Sequence, residues 1–474
     1  MRGEDKESRV AEFIADPRAA VWKLAVPVMV GMAVYTVYQI TDMIFVGQLG
    51  SDALAALTFN IPMGFFAVGI IFGLGTGVTA VIARFIGAGD KDSADNAAEH
   101  SILIGLVVSA VIVAFALTFK YEIFDLAGAS GTVLDMAIGY FEIIVVSYVF
   151  NTLSVTFRSI LTGEGDTRTP MLLSGMGTVL NIFLDPLFMF WAGMGMRGAA
   201  MATLVSYAVV VVAFVIYMFV RKGSYVEFRF LRFRMSGRIA GDILRIGLPS
   251  SASIVIMSLS GMFFNRIVSA FGPDAIAGFG VGGRMDGIYF LPTFALASSQ
   301  VTLAGMFLGA GRIDLIRDSV KYTIARGQIM AFGFAAVFWT LSPLFSQAFS
   351  DNAQIQAVAV QYIRVISLGF PMITMGVICG RVFQGMGSGM PSLLLTTIRI
   401  ILISVPFAWV STRIFELGLM WVWIGPVVGA SVSCIVAAVW LHLRLSQLED
   451  GKASEGVNEG GVRSDTLSLG GRPH

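Results

Sequence analysis

P-V-M-V-G-M-A-V-Y-T-V-Y-Q-I-T-D-M-I-F-V-G-Q-L-G occupies residues 27–50 and has a counterpart, P-S-S-A-S-I-V-I-M-S-L-S-G-M-F-F-N-R-I-V-S-A-F-G, at 249–272. The offset of 222 residues then continues without a gap. Asp52, Ala53, Ala55, Gly87, Ala88, Gly89, Gly163 and Gly165 recur as Asp274, Ala275, Ala277, Gly309, Ala310, Gly311, Gly385 and Gly387. Turns and hinges repeat; interior charge does not. Asp42 falls at Phe264, and Asp185 falls at Phe407 or Ala408. One helical module is used twice, and only its first copy holds carboxylates in apolar surroundings. The pattern points to a transporter with two lobes and one cation site.

Composition sets the solvent. The chain has 474 residues, 56% hydrophobic and 13% charged, with a mean hydropathy of +0.79. A soluble globular domain of this length does not show such values. Twelve apolar runs are long enough to cross a bilayer. They lie near 22–47, 54–86, 99–119, 132–160, 170–192, 197–220, 243–270, 276–308, 320–342, 354–383, 391–414 and 419–446. The expected fold is an all-α polytopic membrane protein whose twelve helices form two six-helix lobes related by a parallel pseudo-two-fold repeat. The domains divide as a cytoplasmic N-terminal segment at 1–20, a first lobe at 21–220 and a basic linker at 221–240. A second lobe follows at 241–446, then a polar, Gly/Ser-rich tail at 447–474 that reads as disordered. The net charge of +1 gives no electrostatic case for nucleic acid. Cys379 and Cys434 both fall in spans, where each reads as a small apolar packing residue.

Lys and Arg set the orientation. Arg84 and Lys91 flank loop 2–3, Arg158 and Arg168 loop 4–5, and Arg312 and Arg317 loop 8–9. The linker adds Arg221, Lys222, Arg229, Arg232, Arg234 and Arg238. Loops 1–2, 7–8 and 9–10 carry Asp52, Asp274 and Asp351 with no Lys or Arg; Lys120, Arg197 and Arg413 are exceptions. Both termini are therefore expected in the cytoplasm of a multi-pass protein of the cell membrane. Two halves of one orientation imply a repeat axis along the membrane normal.

An ionisable residue inside a span costs several kcal/mol by insertion scales unless paired or hydrated, and so is a functional hypothesis by default. Asp42 and Asp185 qualify most clearly. Asp42 lies near the outer end of span 1, Asp185 in the outer half of span 5, and Thr203 about six residues into span 6, which starts outside. Three helices thus bring oxygen ligands to one level. Tyr38 stands four residues before Asp42, and Asn181 four before Asp185, so each pair shares a helix face. Pro186 should disturb its helix and free a backbone carbonyl. Two carboxylates, an amide oxygen, a hydroxyl and a carbonyl suit a hard monovalent cation such as Na⁺. The same cluster can hold a proton, because close like charges disfavour double ionisation. In the competing reading the two acids cap helices or face water without coupling, and their matched depth is accidental. Asp286 in span 8 reads equally as a substrate-facing group or a structural partner. Arg399 in span 11 has no acidic partner in sequence and reads as snorkelling or carbonyl-bound.

Other motifs fail in context. Gly73-Leu-Gly75-Thr-Gly77 follows a membrane helix and not a strand, so it is no dinucleotide loop. Gly163-Glu-Gly-Asp166 and Gly385-Met-Gly-Ser-Gly389 read as turns at helix ends, with Glu164 and Asp166 solvated. His100, His442 and His474 are far apart, and no nucleophile or acid–base pair has catalytic context, which argues against an enzyme. A minority of the 24 Met and 37 Phe residues should line a pliable cavity for varied apolar compounds.

With residues 27–50, the segments A-R-F-I-G-A-G-D (83–90), L-T-G-E-G-D (161–166), N-I-F-L-D-P (181–186) and D-I-L-R-I-G-L-P-S (242–250) resemble the multidrug and toxic compound extrusion (MATE) family. The likeness covers roughly residues 16 to 446 and is greatest to the archaeal and DinF-like branch. The resemblance implies an antiporter without a cofactor that expels amphipathic, often cationic drugs against an inward Na⁺ or H⁺ gradient. It implies two lobes around a V-shaped cavity that alternates its opening. By position, Asp42, Asn181, Asp185 and Thr203 would be cation ligands, with Tyr38 beside them and Pro27 at the bend of span 1. Arg158 stands where close relatives have a small polar residue such as Asn, and is expected to snorkel to the cytoplasmic face. The second lobe lacks the acids of the NorM-like branch, for which Asp286 is at best a partial substitute. A lipid-linked oligosaccharide flippase is the alternative within the superfamily, but few arginines read as deep enough to meet a pyrophosphate. A passive channel would not need paired acids in one lobe. A twelve-helix, two-lobe transporter can work as a monomer in the bilayer.

Overall fold

A computed structural model describes residues 4–230 and 233–465, with side chains from 9 to 450. A short helix α1 (Glu4–Ala15) precedes the first span, α2 (Pro17–Gln48). Asp16 caps α2 by accepting from the Arg18 and Ala19 amides (3.1 and 3.0 Å), and Pro17 supplies a first-turn residue with no amide hydrogen to satisfy. The first half continues as α3 (Ser51–Gly87), α4 (Lys91–Thr118), a short α5 (Lys120–Leu126), α6 (Gly131–Gly163), α7 (Arg168–Pro186) and α8 (Met196–Val215). The second half is α9 (Gly237–Val268), α10 (Pro273–Gly309), α11 (Ile313–Phe349), α12 (Ala353–Ser367), α13 (Phe370–Gly385), α14 (Met390–Thr397), α15 (Val405–Arg413) and α16 (Met420–Asp465). No strand occurs among the described residues.

Eleven of these helical units are long and apolar enough to span a membrane. The twelfth span is the pair α12–α13, bent by 52°. Its bend has a local cause: Pro371, just after Gly369, has no amide hydrogen for the ladder. The repeat-related α6 has Val149 at that place and runs unbroken. The 222-residue repeat is geometric as well as textual. α3 and α10 coincide under it end to end, and each starts after a glycine in the left-handed region, Gly50 (φ +109°) and Gly272 (φ +98°).

α3 packs on α9 and α2 on α10, while α3 and α10 face each other across the pseudo-axis. The described polar contacts between lobes gather toward the face where α2 starts, here called basal. Thr302 donates to the Thr162 carbonyl (3.1 Å) and Ser251 to that of Ile70 (2.9 Å). Trp22 donates to the Tyr322 hydroxyl (3.0 Å), Arg18 pairs with Asp318 (3.0 Å), and Arg84 pairs with Asp242. Gly87 and Gly309 make this contact possible: a Cβ at either would lie 2.0 Å from a carbonyl oxygen of the other lobe, Met306 or Arg84. From α1, the fully buried Phe13 ring reaches this junction, against Gly165.

One expectation needs correction here. Glu164 and Asp166 are not solvated; both are buried. Glu164 accepts from the Ser224 hydroxyl (2.5 Å) and from the Tyr225 and Val226 amides (3.0 Å each), and Asp166 accepts from the Thr169 amide (3.0 Å). With Asp95, Glu99 and His100, which accept from the Glu227, Arg229 and Ser236 amides, they bind the linker to the first lobe. The irregular linker backbone has no ladder, so these side chains satisfy its amides. α16 continues to Asp465, into the tail that begins at 447, and 466–474 lies outside the described residues.

Candidate cation site

Helix periodicity alone places Tyr38 and Asp42 on one face of α2, and Asn181 and Asp185 on one face of α7. The fold brings these faces together with Thr203 of α8. The Asn181 side-chain amide, oriented to satisfy both neighbours, donates to Asp185 Oδ2 (3.0 Å) and accepts from the Thr203 backbone amide (3.1 Å). Thr203 Oγ1 lies 3.5 Å from Tyr38 Oη and donates to the Ala199 carbonyl (3.1 Å). Asp185 is fully buried and Asp42 is 9% exposed. The two carboxylates are close enough for their charges to interact.

The charge balance at this cluster is the telling feature. Neither Asp42 nor Asp185 forms an ion pair among the described residues, and Asp185 Oδ1 has no hydrogen-bond partner. An uncompensated buried carboxylate costs several kcal/mol. A proton or a cation beside that oxygen would relieve the cost. Directly after Asp185-Pro186 the helix widens to a π-turn at Leu187–Trp191, where Ala192 donates to the Leu187 carbonyl (2.8 Å). Proline removes a ladder donor, and the wider turn relieves the mismatch. Among the described residues no three His, Cys, Asp or Glu side chains converge, so the donor set is one of hard oxygen ligands with only two acids.

The remaining sequence-selected residues lie apart from this cluster. Pro27 sits in an uninterrupted α2, about 22 Å along the helix from Asp42 at 1.5 Å per residue. Asp286 is in the second lobe, where Tyr362 donates to its Oδ2 (2.5 Å). Arg158 does not reach for the basal face: its guanidinium lies over the Phe72 ring, 4.6 Å from the centroid, within electrostatic range of Tyr35 and Tyr207. The aromatic face inside the lobe offers a cation–π contact that competes with snorkelling. Among the described residues Arg399 reaches no acid or carbonyl; it lines a cavity in the second lobe together with Arg381. Arg381 escaped the sequence reading. Its signal was available, since it is a lone arginine inside an apolar run, Cys379-Gly-Arg-Val-Phe383.

The MatE family profile matches residues 27–187 and 249–410, one block in each half. A probable multidrug resistance protein NorM of Thermotoga maritima is 26% identical over 431 residues, covering 87% of this chain and 90% of that protein. An FAD transporter of Shewanella oneidensis is also 26% identical, over 81% of this chain and 86% of its own. Among solved structures, an outward-facing conformation of a multidrug resistance MATE family transporter superposes with a TM-score of 0.88 at 32% identity. The superposition covers 92% of this chain and 97% of that one. A repeated six-span module, matched in both copies by one profile and along nearly its whole length by a solved transporter, places this chain in the MatE family of multi-pass membrane transporters, which are not enzymes.

Proposed function

We propose that this chain is a secondary active exporter that antiports amphipathic drugs or metabolites, often cationic, against inward Na⁺ or H⁺. Coupling resides in the first lobe at Asp42, Asn181, Asp185 and Thr203, with Tyr38 adjoining. The observation that carries this reading is the unpartnered, fully buried Asp185 Oδ1 in a two-carboxylate cluster lacking a counter-charge. The names of the relatives, multidrug resistance proteins above all, support the cargo class. The gathering of interlobe contacts on the basal half supports alternating access, with the opposite half free to open. Basic residues on the basal loops make that face cytoplasmic, as expected for both termini in a cell-membrane protein. The lobes divide at the linker, and a monomer contains the whole device.

Occupancy at Asp42 and Asp185 changes the packing of α2 about Pro27 and so reshapes the first-lobe interior. The test is ethidium efflux from proteoliposomes under a Na⁺ gradient and a pH gradient imposed separately. Efflux driven by one gradient, and lost in Asp42→Asn and Asp185→Asn, is the expected result. Efflux indifferent to both gradients, or intact in both variants, overturns the coupling. Pro27→Ala should change transport while leaving cation affinity near wild type; unchanged transport removes the hinge.

A further inference from the structure

The second lobe contains a cavity of about 70 Å³ between α9, α10, α13, α14 and α16. A water needs about 10–15 Å³ on this scale, and whole-drug pockets run to several hundred. The space therefore suits one polyatomic head group and not an entire drug. Two guanidiniums face it, Arg381 of α13 and Arg399, which follows α14 in a π-turn segment (Ile398–Ser404). Arg399 has no ion pair or side-chain hydrogen bond among the described residues. Arg381 uses one nitrogen, Nη1, on Thr76 Oγ1 (3.2 Å) and Gln384 Oε1 (3.1 Å). Asp286, the acid of this lobe's interior, gives Oδ2 to Tyr362 and pairs with neither arginine.

The hydroxyls sharpen the selectivity. Ser250, Ser253, Thr396 and Ser433 commit their protons to backbone carbonyls and add no donor. Ser392 differs: its oxygen accepts from Gln384 Nε2 (2.9 Å), which leaves its own proton for the cavity. A relay from Arg381 through Gln384 thus ends at Ser392, a donor on the same cavity lining as Arg399. Arg381 also lies over Phe294, 4.7 Å from the ring centroid, which adds an apolar face for a body attached to the head group. Two cations and a hydroxyl donor without an acid describe a receptor for an anion.

We propose that this cavity is an anion subsite of the exporter, taking the phosphate or carboxylate of an amphipathic molecule, with Arg399 and Arg381 as its ligands. The assignment deepens the export reading and rests on it for the direction of transport, but not for binding. Because Arg381 bridges to Thr76 of the first lobe, separation of the lobes at the basal face would free a further donor for the anion.

The matched probes are riboflavin and riboflavin 5′-phosphate, which differ by one phosphate and report binding through flavin fluorescence in detergent without any gradient. The phosphate form should bind about ten- to hundredfold tighter than riboflavin. That preference should vanish in Arg399→Gln, weaken in Arg381→Gln, and return in part in Arg399→Lys, with thermal melting confirming that each variant is folded. Displacement of the phosphate probe by nanodisc phosphatidylglycerol, but not by phosphatidylcholine, would assign the anion to a lipid head group; no displacement would assign it to a soluble amphiphile. Equal affinity for the two flavins, or a preference that survives both arginine-to-glutamine changes, overturns the subsite. Loss of gradient-driven efflux with the preference intact would instead count against the coupling alone.

Discussion

Replacing Asp185 by Asn tests the candidate cation site where its chemistry is most constrained. The side chain is fully buried, Oδ2 accepts from Asn181 at 3.0 Å, and Oδ1 has no partner. An asparagine oxygen can keep the Asn181 bond, and the new amide nitrogen takes the place of the orphan oxygen. A buried donor without an acceptor costs about 1–3 kcal/mol, while an uncompensated buried carboxylate costs several. In Na⁺-free buffer at alkaline pH, where neither ion compensates the carboxylate, the variant should therefore melt in detergent at or above the wild-type temperature. Binding should move the other way. Loss of one charge-assisted contact, about 1.5–3 kcal/mol, lowers cation affinity roughly ten- to hundredfold. Calorimetric titration with NaCl at fixed pH reads the Na⁺ case. Proton uptake by the purified protein, followed with a pH dye in Na⁺-free buffer, reads the proton case. Wild-type Na⁺ affinity together with wild-type proton uptake would refute the reasoning, since the orphan oxygen would then have served neither ion. A variant that melts well below wild type under those conditions would show that a group of the protein itself compensates Asp185 and would remove the premise.

Two further outcomes follow from the packing. Glu164→Gln should destabilise the protein by about 3 kcal/mol, because an amide nitrogen would face backbone donors where a charged carboxylate now accepts three bonds; thermal melting and faster proteolysis at residues 221–236 read it, and an unchanged melt would mean the linker is held elsewhere. Gly309→Val should wedge the lobes apart at the basal face, since a Cβ there falls 2.0 Å from the Arg84 carbonyl oxygen; spin labels at Asp90→Cys and Asp314→Cys, with both native cysteines replaced, should show a longer distance, and an unaltered distribution would mean the contact yields locally.

What sequence could reveal depended on how local the cause was. The 222-residue repeat was legible because glycines at positions such as Gly50 and Gly272 answer to backbone conformation, which a few residues determine. The matched depth of Asp42, Asp185 and Thr203 was legible because helix rise and membrane thickness are fixed quantities. The fate of Glu164 was not. Nothing near it in sequence tells that a linker some sixty residues later lays its amides over the carboxylate. Arg158 was misjudged for the same reason, since Phe72 comes from another helix. Arg399 was noted alone and Arg381 not at all, because only the tertiary packing of α13 and the segment after α14 shows that both line one cavity.

The divergence between the copies follows a pattern. Asp42 and Asp185 of the first lobe correspond to Phe264 and Phe407, while Arg381 and Arg399 of the second correspond to Ser159 and Gly177. Gly177 could not have accepted an arginine without rebuilding, because a Cβ there would lie 2.1 Å from a Val210 methyl. At these four positions each lobe carries charges of one sign where the other offers aromatic or small residues. If neutral packing alone had shaped the interiors, either charge could sit in either lobe with no compensating partner nearby. Instead the Asp42–Asp185 cluster has no ion pair among the described residues and the Arg381–Arg399 cavity is lined by no acid, while Arg158 and Asp286 lie elsewhere inside their lobes. Ligands on opposite sides of an exchange can supply both: a small cation in one lobe, and the anionic end of an amphiphile in the other. Turn residues answer to a backbone shared by both copies and so recur. Interior residues answer to what each lobe must hold, and there the copies part.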